Sequence, residues 1–264
     1  MKLKKIASLM LAGIMAVSML AACDGQTINN GNNGEENGPT TTDLSGEVLN
    51  ILNDRDVTVP EYVTFKNDTA LDAALKFAAG SAGVMDVMPE YLASDTLVGV
   101  ATDVYNNLAN KVGVTKSSDG DNIWNTDIGS YAELVYAEKQ DSYKIDDAVS
   151  VHMAAVSGAI GEDNVKEQIA DYIETLPEYL YSIIPTAGDE DGELGGNFVH
   201  NYTVSISTYT KTVNSSVGGA LDMEEGIRLP GTTTTVNGIF GGANDPSVTF
   251  VAIQVVRTST HQGA

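Results

Sequence analysis

The sequence predicts an α+β fold, in which helices pack on an antiparallel sheet formed mainly by the C-terminal third of the chain. Two observations lead to this prediction. Between residues 71 and 176 apolar residues recur at intervals of three and four, which is typical of helices. After residue 196 the interval falls to two, which is typical of strands. Helices that precede strands along the chain favour a segregated α+β domain over an alternating α/β one.

The chain of 264 residues begins with a predicted secretory signal. Lys2, Lys4 and Lys5 precede an uncharged apolar run from Ile6 to Ala22. A basic head, an apolar stretch and small residues, in this order, predict a signal over residues 1–22. A membrane-spanning helix would normally carry a basic flank, whereas this run ends in small residues and a cysteine.

Leu20-Ala21-Ala22-Cys23 resembles the lipobox of bacterial lipoproteins, in which a leucine and two small residues precede a cysteine. The resemblance implies that Cys23 is the lipid attachment site, where the thiol receives a diacylglyceryl group and cleavage leaves the residue at the mature N-terminus. Two acyl chains suffice for stable attachment to a membrane without spanning it. The expected location is the extracytoplasmic face of a bacterial cell membrane. An ordinary signal beside an unrelated cysteine is disfavoured, because Cys23 is the only cysteine.

The signal is followed by a predicted tether and one predicted domain. Residues 23–43 comprise the lipid-anchored cysteine and a flexible segment rich in Gly, Asn and Thr, which has too few large apolar side chains to form a core. Residues 44–264 are long enough for one sizeable core, and no second low-complexity linker interrupts them. This domain has no thiol, so no disulfide bond can stabilise it.

The chain is acidic, with a formal net charge of −22. Binding to a phosphate backbone requires clustered Lys and Arg, which the sequence lacks, so nucleic acid is not an expected partner. A strongly acidic surface is typical of a protein that must stay soluble. Weak, collective binding of divalent cations is the functional alternative.

Five helical segments are predicted from apolar spacing. The first two carry Leu71, Ala74, Leu75 and Ala78, and then Leu97, Val100, Ala101, Val104, Tyr105 and Leu108 before Gly113. The third is a short helix opened by Asp127 with Tyr131, Leu134 and Val135. The fourth ends at Gly161 and carries Ile145, Ala148, Val149, His152, Met153, Val156 and Ile160. The fifth begins at Glu162 and carries Val165, Ile169, Tyr172, Ile173 and Leu176, and Pro177 is expected to kink or break it.

Three strands are predicted downstream. Tyr202–Thr210 alternates in polarity, which indicates a strand with one buried face, and Thr232–Phe240 lies between glycine-rich turns. Val248–Arg257 is apolar on both faces, with Phe250, Ala252 and Val256 on one side and Val251, Ile253 and Val255 on the other. We therefore expect this strand in the middle of a sheet covered on both sides.

No catalytic motif is recognisable. His152, His200 and His261 lack the spacing of a zinc site, and no glycine-flanked serine elbow or phosphate-binding loop is present. On its apolar stripe, His152 is expected to be a partly buried core residue rather than a metal ligand or base. His200 and His261 are expected to face solvent. The sequence thus assigns no catalytic, cofactor-binding or metal-binding residue.

Two further groups could bind ligands. Asp119-Gly120-Asp121-Asn122 and Asp189-Glu190-Asp191-Gly192-Glu193 are oxygen-rich, but neither has the glycine and glutamate positions of a helix-loop-helix calcium site, so solvated loops are the default interpretation. The tyrosines could form a carbohydrate-stacking platform, although such residues more often line the rim of a core; they are Tyr172, Tyr179, Tyr181, Tyr202 and Tyr209.

The start of the domain resembles the opening helices of bacterial CAP-domain proteins, the cysteine-rich secretory and pathogenesis-related superfamily. The resemblance lies in Asn53, Arg55, Asn67, Asp68, Leu71, Ala74, Leu75 and Ala78. It implies an α-β-α sandwich that closes on an apolar strand such as Val248–Val256. The family's central His and Glu segments have no counterpart here, so the resemblance implies no site residue and a lost metal-binding cavity.

The sequence therefore predicts a membrane-anchored extracellular lipoprotein with a non-catalytic binding or interaction domain. The membrane is the expected partner through Cys23, while a cell-wall, protein or carbohydrate ligand is left open. An extracellular CAP-like hydrolase acting on cell-wall or peptide substrates is the alternative. A cleft that gathers His152 with two or more carboxylates would favour that alternative.

Overall fold

The computed structural model describes residues 41–81, 89–137, 142–186, 196–212 and 247–263. They belong to one compact unit, Pro39–Ala264. Cys23, the acidic loop Asp189–Glu193 and the predicted strand Thr232–Phe240 lie outside the described residues. Among the helices of the described ranges, none is long and apolar enough to cross a membrane.

The described residues contain five helices and nine strands. The helices are α1 (Ser45–Asp54), α2 (Thr69–Ser81), α3 (Pro89–Ala93), α4 (Thr102–Val112) and α5 (Glu162–Glu174). The strands are β1 (Thr41–Asp43), β2 (Val63–Phe65), β3 (Val98–Gly99), β4 (Leu134–Ala137), β5 (Ser142–Ile145), β6 (Ala148–Ser157), β7 (Ile183–Thr186), β8 (Gly196–Thr212) and β9 (Ser247–Gly263). Short 3-10 turns follow β6 and α5, at Gly158–Ile160 and Leu176–Tyr179.

Seven of these strands form one sheet. Five of them lie side by side in the order β1-β8-β9-β6-β3, and each neighbouring pair in this order is antiparallel. β9 is central, since it pairs with β8 on one side and with β6 on the other. β7 and β2 also pair with β8, β7 antiparallel and β2 parallel, so three short strands follow one another along its outer edge. β4 and β5 form a separate hairpin.

Helices cover both faces of the sheet. Val251, Ile253 and Val255 of β9 pack into a core with α1 and α5, whereas Phe250 and Ala252 pack into a second core with α2, α3 and α4. The prediction that this strand is buried on both faces is confirmed. The fold class is α+β, as predicted, and its layers are helix, sheet and helix.

Three of the predicted helices are present. In α2 the four predicted apolar residues are all buried. α4 begins at Thr102, later than predicted, and ends where Gly113 adopts a left-handed conformation with φ of 70°. α5 begins at Glu162 as predicted and ends at Glu174, before the 3-10 turn that contains Pro177.

The predicted fourth helix is wrong, because its residues form strand β6. The strand has Val151, Met153 and Ala155 on one face and Ala148 and Val156 on the other, each set in a different core. A strand covered on both faces has apolar residues at nearly every position, and such a run contains helical spacing by chance. The sheet contact, not the local pattern, decides the conformation here.

Two other local predictions need correction. β8 was expected to bury one face, but Ser205, Ser207 and Tyr209 of its second face are buried as well, beneath α2 and its neighbours. Thr41–Asp43, assigned by the sequence to the tether, pairs with β8 as β1. Some of these polar groups are hydrogen-bonded: the Ser205 hydroxyl donates to the Lys66 carbonyl at 2.7 Å, and the Ser45 hydroxyl donates to the Asp43 carboxylate at 2.7 Å.

Charge pairs hold α1 against α5. Arg55 at the end of α1 donates to the carboxylates of Asp171 at 2.7 Å and Glu174 at 3.3 Å, and also to Glu167. Lys166 contacts Glu47 of α1 at 2.5 Å, and the hydrogen bonds that its ammonium group donates to Glu162 and Glu47 raise its pKa. Two cations therefore offset part of the repulsion on the acidic face of α5.

Candidate functional site

A cleft of about 640 Å³ lies in the connection between α4 and β4. One wall is a small hairpin over residues 115–123, and the other consists of the turns at residues 124–131. Its lining combines hydroxyl, amide and carboxylate groups with two aromatic side chains, Trp124 and Tyr131. A cleft of this volume with a few convergent polar groups is the default candidate for a binding site.

The acidic loop Asp119–Asn122 forms the tip of the hairpin. Lys116 pairs with Asn122, and the Ser117 amide donates to the Asp121 carbonyl at 2.8 Å. Gly120 has a φ of 87°, which glycine adopts without strain and which allows the tight reversal. The hairpin is attached to the sheet edge because Thr115 and Val149 of β6 exchange two hydrogen bonds, each 2.8 Å long.

Trp124 is held flat against the domain. Its ring stacks on that of Tyr105 in α4, with centroids 5.2 Å apart and an interplanar angle of 27°. Tyr105 is buried, and its hydroxyl accepts a hydrogen bond from the Asn122 amide at 3.4 Å. Trp124 is nevertheless 47% exposed. The stack therefore fixes one side of the indole and leaves much of the ring available in the cleft.

The second wall is two consecutive turns rather than the short helix predicted to open at Asp127. The Trp124 carbonyl accepts from the amides of Asp127 and Ile128, and the Asp127 carbonyl accepts from those of Ser130 and Tyr131. The chain then extends, and Leu134–Ala137 forms strand β4. The predicted third helix is therefore wrong, because pairing with β5 extends the residues that the spacing assigned to it.

Buried polar side chains connect these turns to the sheet. The Asn125 amide donates to the Ile253 carbonyl at 3.3 Å and accepts from the Ser150 hydroxyl at 2.7 Å. The guanidinium group of Arg257 donates to the Ile128 carbonyl at 2.8 Å, to the Asp146 carbonyl at 3.2 Å and also to the Tyr131 carbonyl. The position of the cleft wall is thus set by residues of β6 and β9.

Arg257 is fully buried, and burial lowers its pKa. Among the described residues no carboxylate lies within ion-pair distance of it, so backbone carbonyls take the place of an anion. Its charge also faces the ring of Tyr131, whose centroid is 5.8 Å from the guanidinium carbon. Arg257 of β9 therefore contacts three backbone carbonyls and one aromatic ring, and these contacts connect the sheet to the turns of the cleft wall.

Tyr131 belongs to the lining of the cleft. Its hydroxyl lies 3.0 Å from the Lys116 carbonyl and 2.5 Å from the Glu133 carboxylate, so it joins the two walls. Burial, together with the hydrogen bond to Glu133, raises the pKa of Tyr131 to about 12. The phenol therefore stays protonated and remains a donor at neutral pH.

The tyrosines do not come together as the carbohydrate-stacking platform that the sequence left open as an alternative to core-rim positions. Tyr202 and Tyr209 are buried on opposite faces of the sheet, and Tyr172 stacks on His152 with centroids 4.3 Å apart. Tyr179 and Tyr181 are exposed but do not line the cleft. The exposed aromatic residue of the cleft is Trp124, which the apolar spacing of the sequence does not single out. It is the only tryptophan of the chain and follows the acidic loop, and these two features are the signal that could have indicated it.

The three histidines occupy different environments. His152 in β6 is partly buried, as predicted, and burial lowers its pKa. His261 is exposed, also as predicted. His200 was expected to face solvent, but it lies within β8 and is fully buried, where its Nδ1 is 3.0 Å from the Ser259 hydroxyl. Its burial follows from the pairing of β8 with β9, which extends beyond the predicted strand ends.

His200 should make stability depend on pH. Burial, assisted by the charge of Arg257, lowers its pKa to about 4, whereas an unfolded histidine has a pKa near 6.5. The unfolded chain then binds more protons between these values, so the free energy of unfolding falls as pH drops from about 6.5 towards 4, by at most about 1.4 kcal/mol per pH unit from this residue.

Urea unfolding of the protein and of His200→Gln at pH 4.5, 5.5 and 7.0 measures this contribution. The carboxylates and the other histidines titrate in both proteins, so they cancel in the difference between the two pH profiles. We expect a shallower decline in the variant at acid pH. If the free energy of unfolding declines equally with pH in the two proteins, His200 does not have the lowered pKa in the folded state.

Within the described ranges, no group of three His, Cys, Asp or Glu side chains is placed to hold a metal ion. No family model, no curated protein and no solved structure matches the chain. The arrangement in the cleft can bind a ligand through one aromatic face and a rim of oxygen atoms.

Proposed function

We propose that this protein is a lipid-anchored lipoprotein of the extracytoplasmic membrane face, whose domain binds a ligand without transforming it. The binding site is the cleft between the hairpin 115–123 and the turns 124–131. The anchor holds the domain at the cell surface, and the cleft supplies recognition.

The N-terminal sequence supports the anchor. A basic head, an apolar run and Leu20-Ala21-Ala22-Cys23 occur in the order and spacing of a lipoprotein signal. The polar segment that follows Cys23 would act as a spacer between the lipid and β1.

The observation that carries the binding function is the exposure of Trp124. A large aromatic side chain normally contributes to a core, and exposing nearly half of it gives up favourable burial. Here the stack on Tyr105 and the hydrogen bonds of the hairpin keep the indole at the mouth of a polar cleft. Such preorganisation lowers the entropy that a ligand-binding site loses on binding.

Metabolic labelling with an alkyne fatty acid tests the anchor. We expect the full chain expressed in a lipoprotein-processing bacterium to carry label and to fractionate with membranes. The variant Cys23→Ala should lose both the label and the membrane association, since no other thiol is available.

Retention of label by Cys23→Ala would refute the anchor. A second variant, Ser18→Ala, changes the apolar run without touching the attachment residue and should be labelled normally. Turnover of a cell-wall or peptide substrate by the purified full chain would replace the binding function by the hydrolase alternative.

A further inference from the structure

The chemistry of the cleft lining restricts the charge of its ligand. Asp121, Asp127 and Glu133 line the cleft, and no Lys, Arg or His side chain does so among the described residues. The chain as a whole is also strongly negative. An anionic ligand, such as a phosphorylated or carboxylated molecule, would meet like charges with no compensating cation.

The polar groups of the lining restrict the ligand further. Carboxylates accept hydrogen bonds and donate none, while the hydroxyls of Ser117 and Ser118 can do either. The Ser130 hydroxyl donates to the Asp127 carbonyl at 3.0 Å, so it is an acceptor for a ligand. A ligand that satisfies this rim must bring several hydrogen-bond donors of its own. Hydroxyl groups spread around a ring fit this requirement.

The aromatic component requires an apolar surface on the same ligand. Trp124 presents a broad ring that is backed by Tyr105 and therefore cannot turn aside. A ligand that covers this ring removes apolar surface from water, which is favourable. A sugar ring has such a surface, because its C–H bonds form an apolar face while its hydroxyls point outward.

A basic side chain could also satisfy carboxylates and stack on tryptophan. The shape of the cleft favours the sugar. A single ammonium or guanidinium group needs a small volume, whereas this cleft has about 640 Å³, with its acceptors distributed over both walls.

We propose that the cleft binds a saccharide without negative charge, with one sugar ring stacked on Trp124 and with hydroxyls that donate to Asp121, Asp127 and Glu133. This assignment rests on the proposed binding function and specifies its ligand class. It requires no bond to be made or broken.

Tryptophan fluorescence tests the assignment directly, because Trp124 is the only tryptophan of the chain and its emission reports the cleft. The full chain, purified in detergent, is titrated with cellotriose, maltotriose, mannotriose and the trimer of N-acetylglucosamine. The oligogalacturonate trimer serves as an anionic saccharide, and argininamide as a cation without a sugar. We expect a saturable change in emission with at least one neutral trimer and none with oligogalacturonate.

Variants connect the signal to the site. By calorimetry, Trp124→Ala and Asp127→Asn should each weaken binding of the responding trimer roughly tenfold or more. Asp127 is exposed, so the asparagine variant should fold normally. Tyr181→Ala is the matched control, since this residue is an equally exposed aromatic outside the cleft lining, and it should bind as the unmodified protein does.

The remaining outcomes overturn the assignment. Saturable binding of argininamide with no response to any saccharide would assign the cleft to basic peptides, and the proposed binding function would stand. A response to oligogalacturonate as strong as that to the neutral trimers would refute the charge restriction. No saturable response to any neutral trimer, or full affinity in Trp124→Ala, would refute saccharide binding in this cleft.

Discussion

Replacing Arg257 by methionine should lower the free energy of unfolding by about 3 kcal/mol or more. Methionine fills a similar volume but donates no hydrogen bond, so the buried carbonyl of Ile128 and the partly buried bonds to the carbonyls of Tyr131 and Asp146 lose their donor. Each buried acceptor left without a partner costs about 1–3 kcal/mol. Removal of a buried charge relieves part of its desolvation cost, which is why we expect less than the full sum. Urea unfolding measures the effect.

The same substitution should also alter the cleft, because two of the three carbonyls belong to its second wall. We expect a shifted Trp124 emission and weaker ligand binding while the variant is still folded. Leu52→Ala is a suitable control, since Leu52 of α1 is fully buried and does not line the cleft. The cavity that alanine leaves should lower the free energy of unfolding by about 2–5 kcal/mol. If both variants change Trp124 emission equally, Arg257 has no special role in positioning the wall.

Arg257→Lys separates charge from geometry. The ammonium group retains the positive charge but lacks the planar fork with which arginine contacts several carbonyls at once. We therefore expect an intermediate loss of stability. Full retention of stability would mean that charge, rather than hydrogen-bond geometry, is what the site requires.

Gly129→Ala should destabilise the protein by about 3 kcal/mol, at the upper end of the usual cost of overpacking. A Cβ at this position would overlap the carbonyl oxygen of Tyr179, and it would also lie 3.0 Å from the Cα of Leu180. Both neighbours are backbone atoms, which cannot move aside as a flexible side chain can. The turns 124–131 must therefore shift, and thermal unfolding together with Trp124 emission should report the change.

Gly46→Ala is the matched control for this steric argument. Gly46 lies in the first turn of α1, and nothing is within 4 Å of a Cβ placed there. Alanine has a higher helix propensity than glycine, so this variant should be unchanged or more stable by up to about 1 kcal/mol. Equal destabilisation by the two substitutions would contradict the close approach at Gly129.

The structure explains which local predictions succeeded. α2, α4 and α5 each have a single apolar stripe, and a stripe is a property of the local sequence. β9 was predicted correctly because its apolar run is rich in β-branched residues, which favour strands. β6 failed for the opposite reason, since its alanines and methionine are good helix formers and only pairing with β9 extends them.

The cleft could not be predicted in the same way. Trp124 and Tyr105 are far apart in sequence, and their stack depends on how the hairpin 115–123 attaches to the edge of β6. Arg257 is farther still, more than 120 residues from the turns that it holds. Nothing in the sequence near Arg257 indicates that a charged residue at the end of an apolar strand is fully buried.

By itself the sequence determined the α+β class, three helices and the central strand with its two buried faces, because these follow from periodicity and residue preference within short segments. It also carries the prediction of an anchor at Cys23, which depends on local order alone. Only the tertiary structure decided that β6 is a strand, that His200 is buried and that Trp124 stands exposed over Tyr105. These outcomes depend on contacts between distant segments. The free energies of such contacts exceed the preference of a short segment for helix or strand.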